Sequence, residues 1–424
     1  MQSERQTSGG AAVGGSFSRL RVAIVHYWFV SRGGGERVVE ALAEMFPQAD
    51  LFTPVCNPAA LGPALAGHKI TTSFLQRLPA ATRVHRHLLP LQPLALEQFD
   101  LSGYDLVISS ESGPAKGVLT SPRCCHICYC HSPMRYLWDM HAAYRRGMGP
   151  LVGTFFTLAS HYLRLWDYAS AGRVDHFVAN SRFVAARIAK IYGRLSTVIH
   201  PPVNIPPAAM LSDGPGDYYL AAGRLVDYKR FDLAVEACTR LGRRLRVVGV
   251  GPELRRLRQL AGPTVEFTGA VDDAALQREF AHCRALLFPG EEDFGIVPVE
   301  AQSFGRPVIA YGSGGALETV RAALPGSPTV LSPTGLFFGQ QSVAGLMEAM
   351  ERFEATEREF SPAVIRRHAL QFAKEGFQAR MAEFVCQALG GALGSSRAAS
   401  ALEFTPALAA TAHLGLNRPL PRFS

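Results

Sequence analysis

The chain has 424 residues, 48% of them hydrophobic and 18% charged, which excludes a disordered polymer and exceeds what one ordinary core accommodates; two domains of roughly 200 residues each are expected. The formal net charge of +8 suits an anionic small ligand or an anionic membrane surface. No aromatic-interleaved basic motif accompanies it, so nucleic acid is not an expected partner.

Residues 1–17 are polar and glycine-rich, and the first apolar run, Val22 to Val25, is only four residues long, so no cleavable signal is expected and the tail reads as disordered. This points to the cytosol, where the eight cysteines, spaced without the pattern of a disulfide framework, are expected as free thiols. The first domain, 18–203, opens with a buried strand at 21–29, a glycine turn and a helix at 37–46. Residues 74–96 alternate leucines with Arg77, Arg83 and Arg86, which suits either an interfacial segment or a surface helix pair with a core face. Strands follow at 105–110 and 125–130.

The second of these, in RCCHICYCHSPMRYLWD, is nearly all cysteine and histidine. Side chains alternate along a strand, so Cys124, His126, Cys128 and Cys130 face one way and Cys125, Ile127, Tyr129 and His131 the other. Ligands strung along one face recede from each other, and no second cluster exists to close a tetrahedral site, so the run reads as a buried strand and not as a zinc or redox centre. Residues 147–165 carry no charge until Arg164 and reach the lower limit of about 17–25 residues for a span. Their glycines, Pro150 and the Ser160-His161 pair argue instead for a helix packed on the first domain with a lipid-facing side. A strand-to-helix unit begins at 174–181, the stretch 196–204 ends this half, and prolines 201, 202, 206 and 207 mark a hinge.

The second domain, 204–365, repeats the rhythm: strand 218–225, helix 231–241, then strands at 245–251, 265–271, 285–290 and 307–312. Alternation of this kind, occurring twice, is the signature of an α/β fold with two Rossmann-like doubly wound parallel sheets whose carboxyl ends face a central cleft. Residues 366–389 are expected as a helix returning to the first domain, and the low-complexity tail 390–424 as poorly ordered.

The densest chemistry lies in PGEEDFGIVPVEAQSFGRPVIAYGSGG, 289–315. Pro298 suits the first turn of a helix running to about Phe304, with Gly305 as terminator. That places Glu292 in the preceding loop and Glu300 in the first turn, beside backbone N–H groups that favour an anion. Carboxylates for hydroxyls and amides for phosphate together describe a nucleotide sugar. By position alone, a solvated loop charge and a helix-dipole residue account for the two glutamates equally well.

Glu292 and Glu300 with seven residues between them, the Phe294-Gly295 pair, Gly305-Arg306-Pro307 and Gly314-Gly315 resemble the signature of retaining GT-B glycosyltransferases of family 4. GRLVDYKRFDLAVEA, GVGPE, VEFTGAV, SRGGGERVVEALA and ANSRFVAARIAKIYG extend the resemblance over roughly residues 20–385. It implies Arg224 and Lys229 on the donor diphosphate, Glu292 on the sugar hydroxyls, Glu300 on the ribose, backbone amides around Phe294 and Gly295 near the donor, Gly33 and Gly34 at a close backbone approach, and His131 beside the donor sugar. The leaving phosphate itself would take the acceptor proton, leaving the protein to orient and to stabilise charge.

Metal independence is expected, since no Asp-x-Asp pair is present, and no cofactor is expected, since Gly249-Val250-Gly251-Pro252-Glu253-Leu254 lacks the third glycine of a dinucleotide fingerprint. LALEQFDLSGYDLVISS, AKGV and YCHSPMRYLWD are most similar to bacterial mannosyltransferases of O-antigen and exopolysaccharide assembly. That branch implies GDP-mannose as donor, a polyprenyl-diphosphate-linked oligosaccharide as acceptor, and a peripheral site on the inner face of the plasma membrane. UDP-glucose or another nucleotide sugar as donor, and a catalytically silent GT-B assembly partner, are the alternatives.

Overall fold

The computed structural model describes residues 17–210, 214–322, 330 and 332–392. The N-terminal tail up to residue 16, and most of the low-complexity tail, lie outside the described residues. Phe17, assigned to that tail, is instead buried in the first core, its ring 5.2 Å from that of Phe46, because a large aromatic side chain next to an open helix end gains more by burial than by solvation.

Two parallel sheets are present. The first holds β1 (Val22–His26), β2 (Asp50–Thr53), β3 (Ile70–Thr72), β4 (Leu106–Glu111), β5 (Cys125–Cys130), β6 (His176–Ala179) and β7 (Ser196–Val198), in the order β3-β2-β1-β4-β5-β6-β7. The second holds β8 (Tyr219–Ala222), β9 (Leu245–Val248), β10 (Val265–Gly269), β11 (Ala285–Phe288), β12 (Val308–Tyr311) and β13 (Gly335–Phe338), in the order β10-β9-β8-β11-β12-β13. Every residue of β1, β4, β5, β8 and β11 is buried, as parallel strands covered on both faces require. The cysteine strand obeys the alternation: Cys125, Ile127 and Tyr129 enter one core, Cys128 and Cys130 another, and all eight cysteines are free.

The helices that matter for the site are α1 (Gly34–Met45), α2 (Pro150–Ser170), α3 (Arg182–Tyr192), α4 (Phe231–Leu241), α5 (Ile296–Ser303), α6 (Pro362–Ala369) and α7 (Lys374–Ala392). α1 starts three residues before the expected Arg37, because Gly33 is the N-cap and its N–H is held by the Glu36 carboxylate at 3.0 Å. α3 is bounded by a Ser181 cap on the Val184 N–H and by Gly193 at φ +65°.

α5 starts at Ile296, so Pro298 is its third residue and Glu300 its fifth, in the second turn and not the first. Proline is tolerated anywhere in the first turn, where N–H groups have no partner, so it could not fix the start. The expected single helix 366–389 is also corrected. α6 ends at Ala369, a short turn covers Leu370–Phe372, and α7 then packs on α1 and β5 of the first domain. The proline linker runs beside this return, with the Val203 N–H on the Phe372 carbonyl at 2.9 Å, so both chain crossings share one seam.

Candidate active site

In each sheet the strand order reverses once, between β1 and β4 and between β8 and β11. At such a reversal the connections leave in opposite directions and open a crevice at the carboxyl ends. His26 ends β1, Ser110 and Glu111 end β4, and His131 follows β5; Arg224 and Lys229 follow β8, and Glu292 follows β11. The predicted cations and one glutamate therefore collect at the second reversal point, and the histidine stands one strand beyond the first.

The second-domain cluster is tightly built. Gly223, at φ +139°, lets the chain turn where a Cβ would stand 3.1 Å from Lys229 Nζ. Lys229 Nζ reaches Glu292 Oε1 at 2.7 Å. Burial works to lower the pKa of this ammonium, and Glu292 outweighs it, so the group is held charged. A Cβ at Gly315 would meet Phe294 Cα at 2.3 Å, and the Gly315 N–H bonds the Glu292 carbonyl at 2.8 Å; this glycine thus holds the acidic loop in place. Arg224 is exposed and has no ion pair among the described residues.

Phe294 is 3% exposed and packs between His200 and Phe372, at 5.3 and 5.6 Å, so only its backbone is available to a ligand. Gly295, at φ +89°, is the α5 N-cap, a conformation that other residues adopt at a cost. In the first domain, Gly34 lies under Ile296, whose Cδ1 would be 2.6 Å from a Cβ there. Glu300 is not free: it accepts a hydrogen bond from Arg37 on α1.

His131 is fixed from several sides. Its N–H bonds the Glu111 carbonyl at 2.7 Å, its own carbonyl accepts from Asn180, and its Nε2 lies 2.8 Å from Ser110 Oγ. Burial first, and the neighbouring His26 second, push its pKa down to about 3, so the ring is neutral near pH 7.

Several residues of the cleft were not singled out from sequence. Asp293 sits between Arg187, 2.7 Å away, and Arg135, 3.8 Å away, while Ser181 Oγ donates to its carbonyl at 2.5 Å. Burial raises its pKa and the two arginines restrain the rise. Glu318 accepts from the Arg182 N–H at the start of α3 and pairs with His200 at 3.1 Å. Arg135 also covers the Tyr228 ring at 5.4 Å. Arg86, read from sequence as part of an interfacial segment, instead has its pKa lowered by burial and then by the nearby Arg224. The sequence cue for these was thin: charges beside the matched motifs, on segments whose partners lie over 100 residues away.

The lipid-facing expectation divides. Residues 74–96 break into short turns, with Leu75, Ala95 and Leu96 buried and the His85 ring tilted against Trp28 at 4.8 Å, so these residues do not form one continuous interfacial face. α2 is different: Leu151, Val152, Phe155, Leu158, Tyr162, Leu165 and Tyr168 are exposed, while Gly153, Ser160 and Asp167 are buried. An apolar face turned outward over five turns is unusual on a water-facing helix. No described helix is long and apolar enough to cross a membrane.

Asp167, itself fully buried, anchors this helix, bonded by Lys116, Tyr192 and the Trp138 indole. Glu111 shares Lys116 at 3.3 Å. With two carboxylates and one ammonium, burial pushes the Glu111 carboxyl up to about 7.

Comparison with known proteins bears on this arrangement. The family model for Glycosyltransferase Family 4 matches residues 32–205, and that for Glycosyl transferases group 1 matches 208–370. The glycogen synthase of Xanthomonas euvesicatoria is 31% identical over 159 residues, 35% of this chain and 29% of that protein, so the chain matches less than a third of the relative's length. The alpha-1,3/1,6-mannosyltransferase ALG2 of Candida glabrata is 35% identical over 68 residues, 16% of this chain and 15% of that protein. Among solved structures, Anabaena HepE in complex with UDP and glucose superposes with a TM-score of 0.62 at 16% identity, covering 87% of this chain and 99% of its own. The sucrose-phosphate synthase of Thermosynechococcus elongatus gives 0.63 at 19% identity, covering 88% and 100%.

Proposed function

We propose that this chain, which belongs to the GT-B glycosyltransferases of family 4, is a retaining enzyme that moves a hexose from a nucleoside-diphosphate sugar to a lipid-linked acceptor. The observation that carries the proposal is the Lys229–Glu292 pair, with Arg224, at the carboxyl ends of β8 and β11, in a seam where Arg187 and Arg135 of the first domain hold the adjacent Asp293. In this reading the two cations take the diphosphate, whose charge grows as the sugar–phosphate bond breaks. Glu292 orders the sugar hydroxyls, Glu300 the ribose, and the α5 N-terminus around Phe294 and Gly295 lends backbone amides. Gly33 and Gly34 let the first domain close on the donor. The diphosphate needs no metal, its charge being met by guanidinium and ammonium.

GDP-mannose is the donor we favour, on the sequence likeness to mannosyltransferases, with a polyprenyl-diphosphate oligosaccharide as acceptor in exopolysaccharide or O-antigen assembly. The outward face of α2 supports a peripheral position on an anionic membrane, the cytoplasmic leaflet in this reading. UDP-glucose is the second reading, since the 31% identity to a glycogen synthase favours glucosyl transfer.

Incubation of the purified chain with each donor, with and without EDTA, tests the proposal through thermal shift and donor turnover. Stabilisation by neither nucleotide would sink the donor site, and loss of turnover in EDTA would sink metal independence. Tight donor binding with no turnover in the presence of lipid acceptor would point to the silent partner.

A further inference from the structure

Beneath His131 runs a line of buried polar groups that the proposed chemistry does not use. His26 and Ser110 are both 0% exposed. His26 Nδ1 is 3.1 Å from Ser110 Oγ, and Ser110 Oγ is 2.8 Å from His131 Nε2. At the far end, Glu36 Oε1 faces His26 Nε2 at 3.7 Å, while Glu36 Oε2 is occupied by the Gly33 N–H.

A neutral imidazole carries one proton, and a hydroxyl donates one, so this line has two polarities. At 3.7 Å the Glu36 contact is longer than a hydrogen bond, and its bias is electrostatic. A bare Nε2 lone pair aimed at a carboxylate in a dry interior is repelled, so His26 carries its proton on Nε2. Its Nδ1 then accepts from the Ser110 O–H, and Ser110 Oγ must accept from His131 Nε2–H. The proton of His131 is thereby spent inward. Its Nδ1 makes no hydrogen bond among the described residues, and the half-buried ring keeps some exposure, so this lone pair is left for a ligand.

We infer that Glu36, His26 and Ser110 are positioning residues that fix the tautomer of His131, so that its Nδ1 presents an acceptor to a hydroxyl of the bound sugar. The site would then favour a sugar that offers an O–H there and disfavour one that offers a carboxylate or no polar hydrogen. The inference rests on the proposed donor site, and its test separates the two.

Glu36→Gln is nearly isosteric. The Gly33 N–H claims the amide oxygen, the NH2 turns to His26, and every donor in the line reverses, leaving His131 Nδ1 protonated. Nitrogen-15 NMR of the ligand-free chain, labelled at histidine, reads this directly. The parent should show His131 with bare Nδ1 and protonated Nε2, Glu36→Gln the opposite tautomer, and Ser110→Ala a mixture. In turnover, Glu36→Gln should lower kcat/KM for a hydroxyl-bearing sugar donor about tenfold while the affinity for the nucleoside diphosphate alone stays at the parental value. A protonated Nδ1 in the parent, or a tautomer unmoved by Glu36→Gln, overturns the inference. The expected tautomers in a chain that binds no nucleotide would instead refute the donor site and leave the relay standing.

Discussion

Glu300 of α5 accepts a 2.5 Å hydrogen bond from Arg37 Nη1 of α1, so in the ligand-free cleft the carboxylate proposed for the ribose is held by the opposite domain. A ribose must displace Arg37 or share the carboxylate with it. Arg37→Ala should therefore tighten nucleoside-diphosphate binding about three- to tenfold, a modest gain because the pair is partly solvated. Glu300→Ala should weaken binding. Titration calorimetry checks both, and an Arg37→Ala affinity equal to the parent's would mean that the pair does not compete with the ligand.

Arg224 and Lys229 make separable predictions. Arg224 is exposed without an ion pair among the described residues, whereas Lys229 neutralises Glu292 at 2.7 Å. Replacing either by alanine should lower kcat about 10²–10³-fold, the usual effect of removing one group that stabilises transition-state charge. Only Lys229→Ala should also lower the melting temperature, since it strands a half-buried carboxylate. An Arg224→Ala enzyme with parental kcat would remove that residue from the chemistry.

How far the sequence reveals this site follows from where its contacts lie. The strands were legible because fully buried parallel strands are largely apolar runs, and in β5 cysteine takes the place of the usual aliphatic residues. Glu292, Lys229 and Arg224 were legible because each follows a strand end. The pairing of Glu300 with Arg37, 263 positions away, was not, since neither α1 nor α5 carries any local mark of the other. The same holds for Asp293 between Arg135 and Arg187. Helix starts failed where the first-turn residue was ambiguous, as with Pro298, and where a glycine served as cap, as with Gly33.

Acid should destabilise the chain from about pH 6.5 downward. His126 is fully buried, and desolvation lowers its pKa to about 4, while His131 falls to about 3. Both are neutral when folded, and the unfolded chain takes up their protons first, near pH 6.5, so stability falls by about 1.4 kcal/mol per histidine per pH unit below that value. Glu111, raised to about 7, works the other way, losing stability as pH rises from about 4.5 to 7, but it is one group against two. Denaturant melts between pH 7 and 4 should show this slope, and His126→Gln should reduce it. A slope unchanged in that variant would place the acid sensitivity elsewhere.

The cysteine strand and its histidine should part company under mutation. Cys124 is buried, free, and on the face of β5 opposite His131; burial pushes its thiol pKa up to about 12, which keeps it protonated and unreactive. Cys124→Ala should leave transfer at the parental rate and cost only packing stability, whereas His131→Ala should impair transfer at least about tenfold. Loss of activity in Cys124→Ala with an intact melting curve would reopen a thiol role.

On α2 the large apolar side chains face out at positions 151, 155, 158, 162 and 165, while a buried aspartate, Asp167, ties the helix to Lys116. The anchor keeps this face outward, and the neighbouring Arg145 and Arg146 add positive charge at its start. A surface of that kind binds an anionic lipid interface by apolar burial plus electrostatic attraction. Phe155→Glu with Leu158→Glu should lower partitioning onto phosphatidylglycerol vesicles at least about tenfold and depress transfer to a lipid-linked acceptor, with donor hydrolysis unchanged, because neither residue approaches the cleft cluster. Unchanged partitioning would refute the membrane face. A parental dimer that the double variant dissolves, seen by sedimentation, would assign the stripe to a second copy of the chain instead.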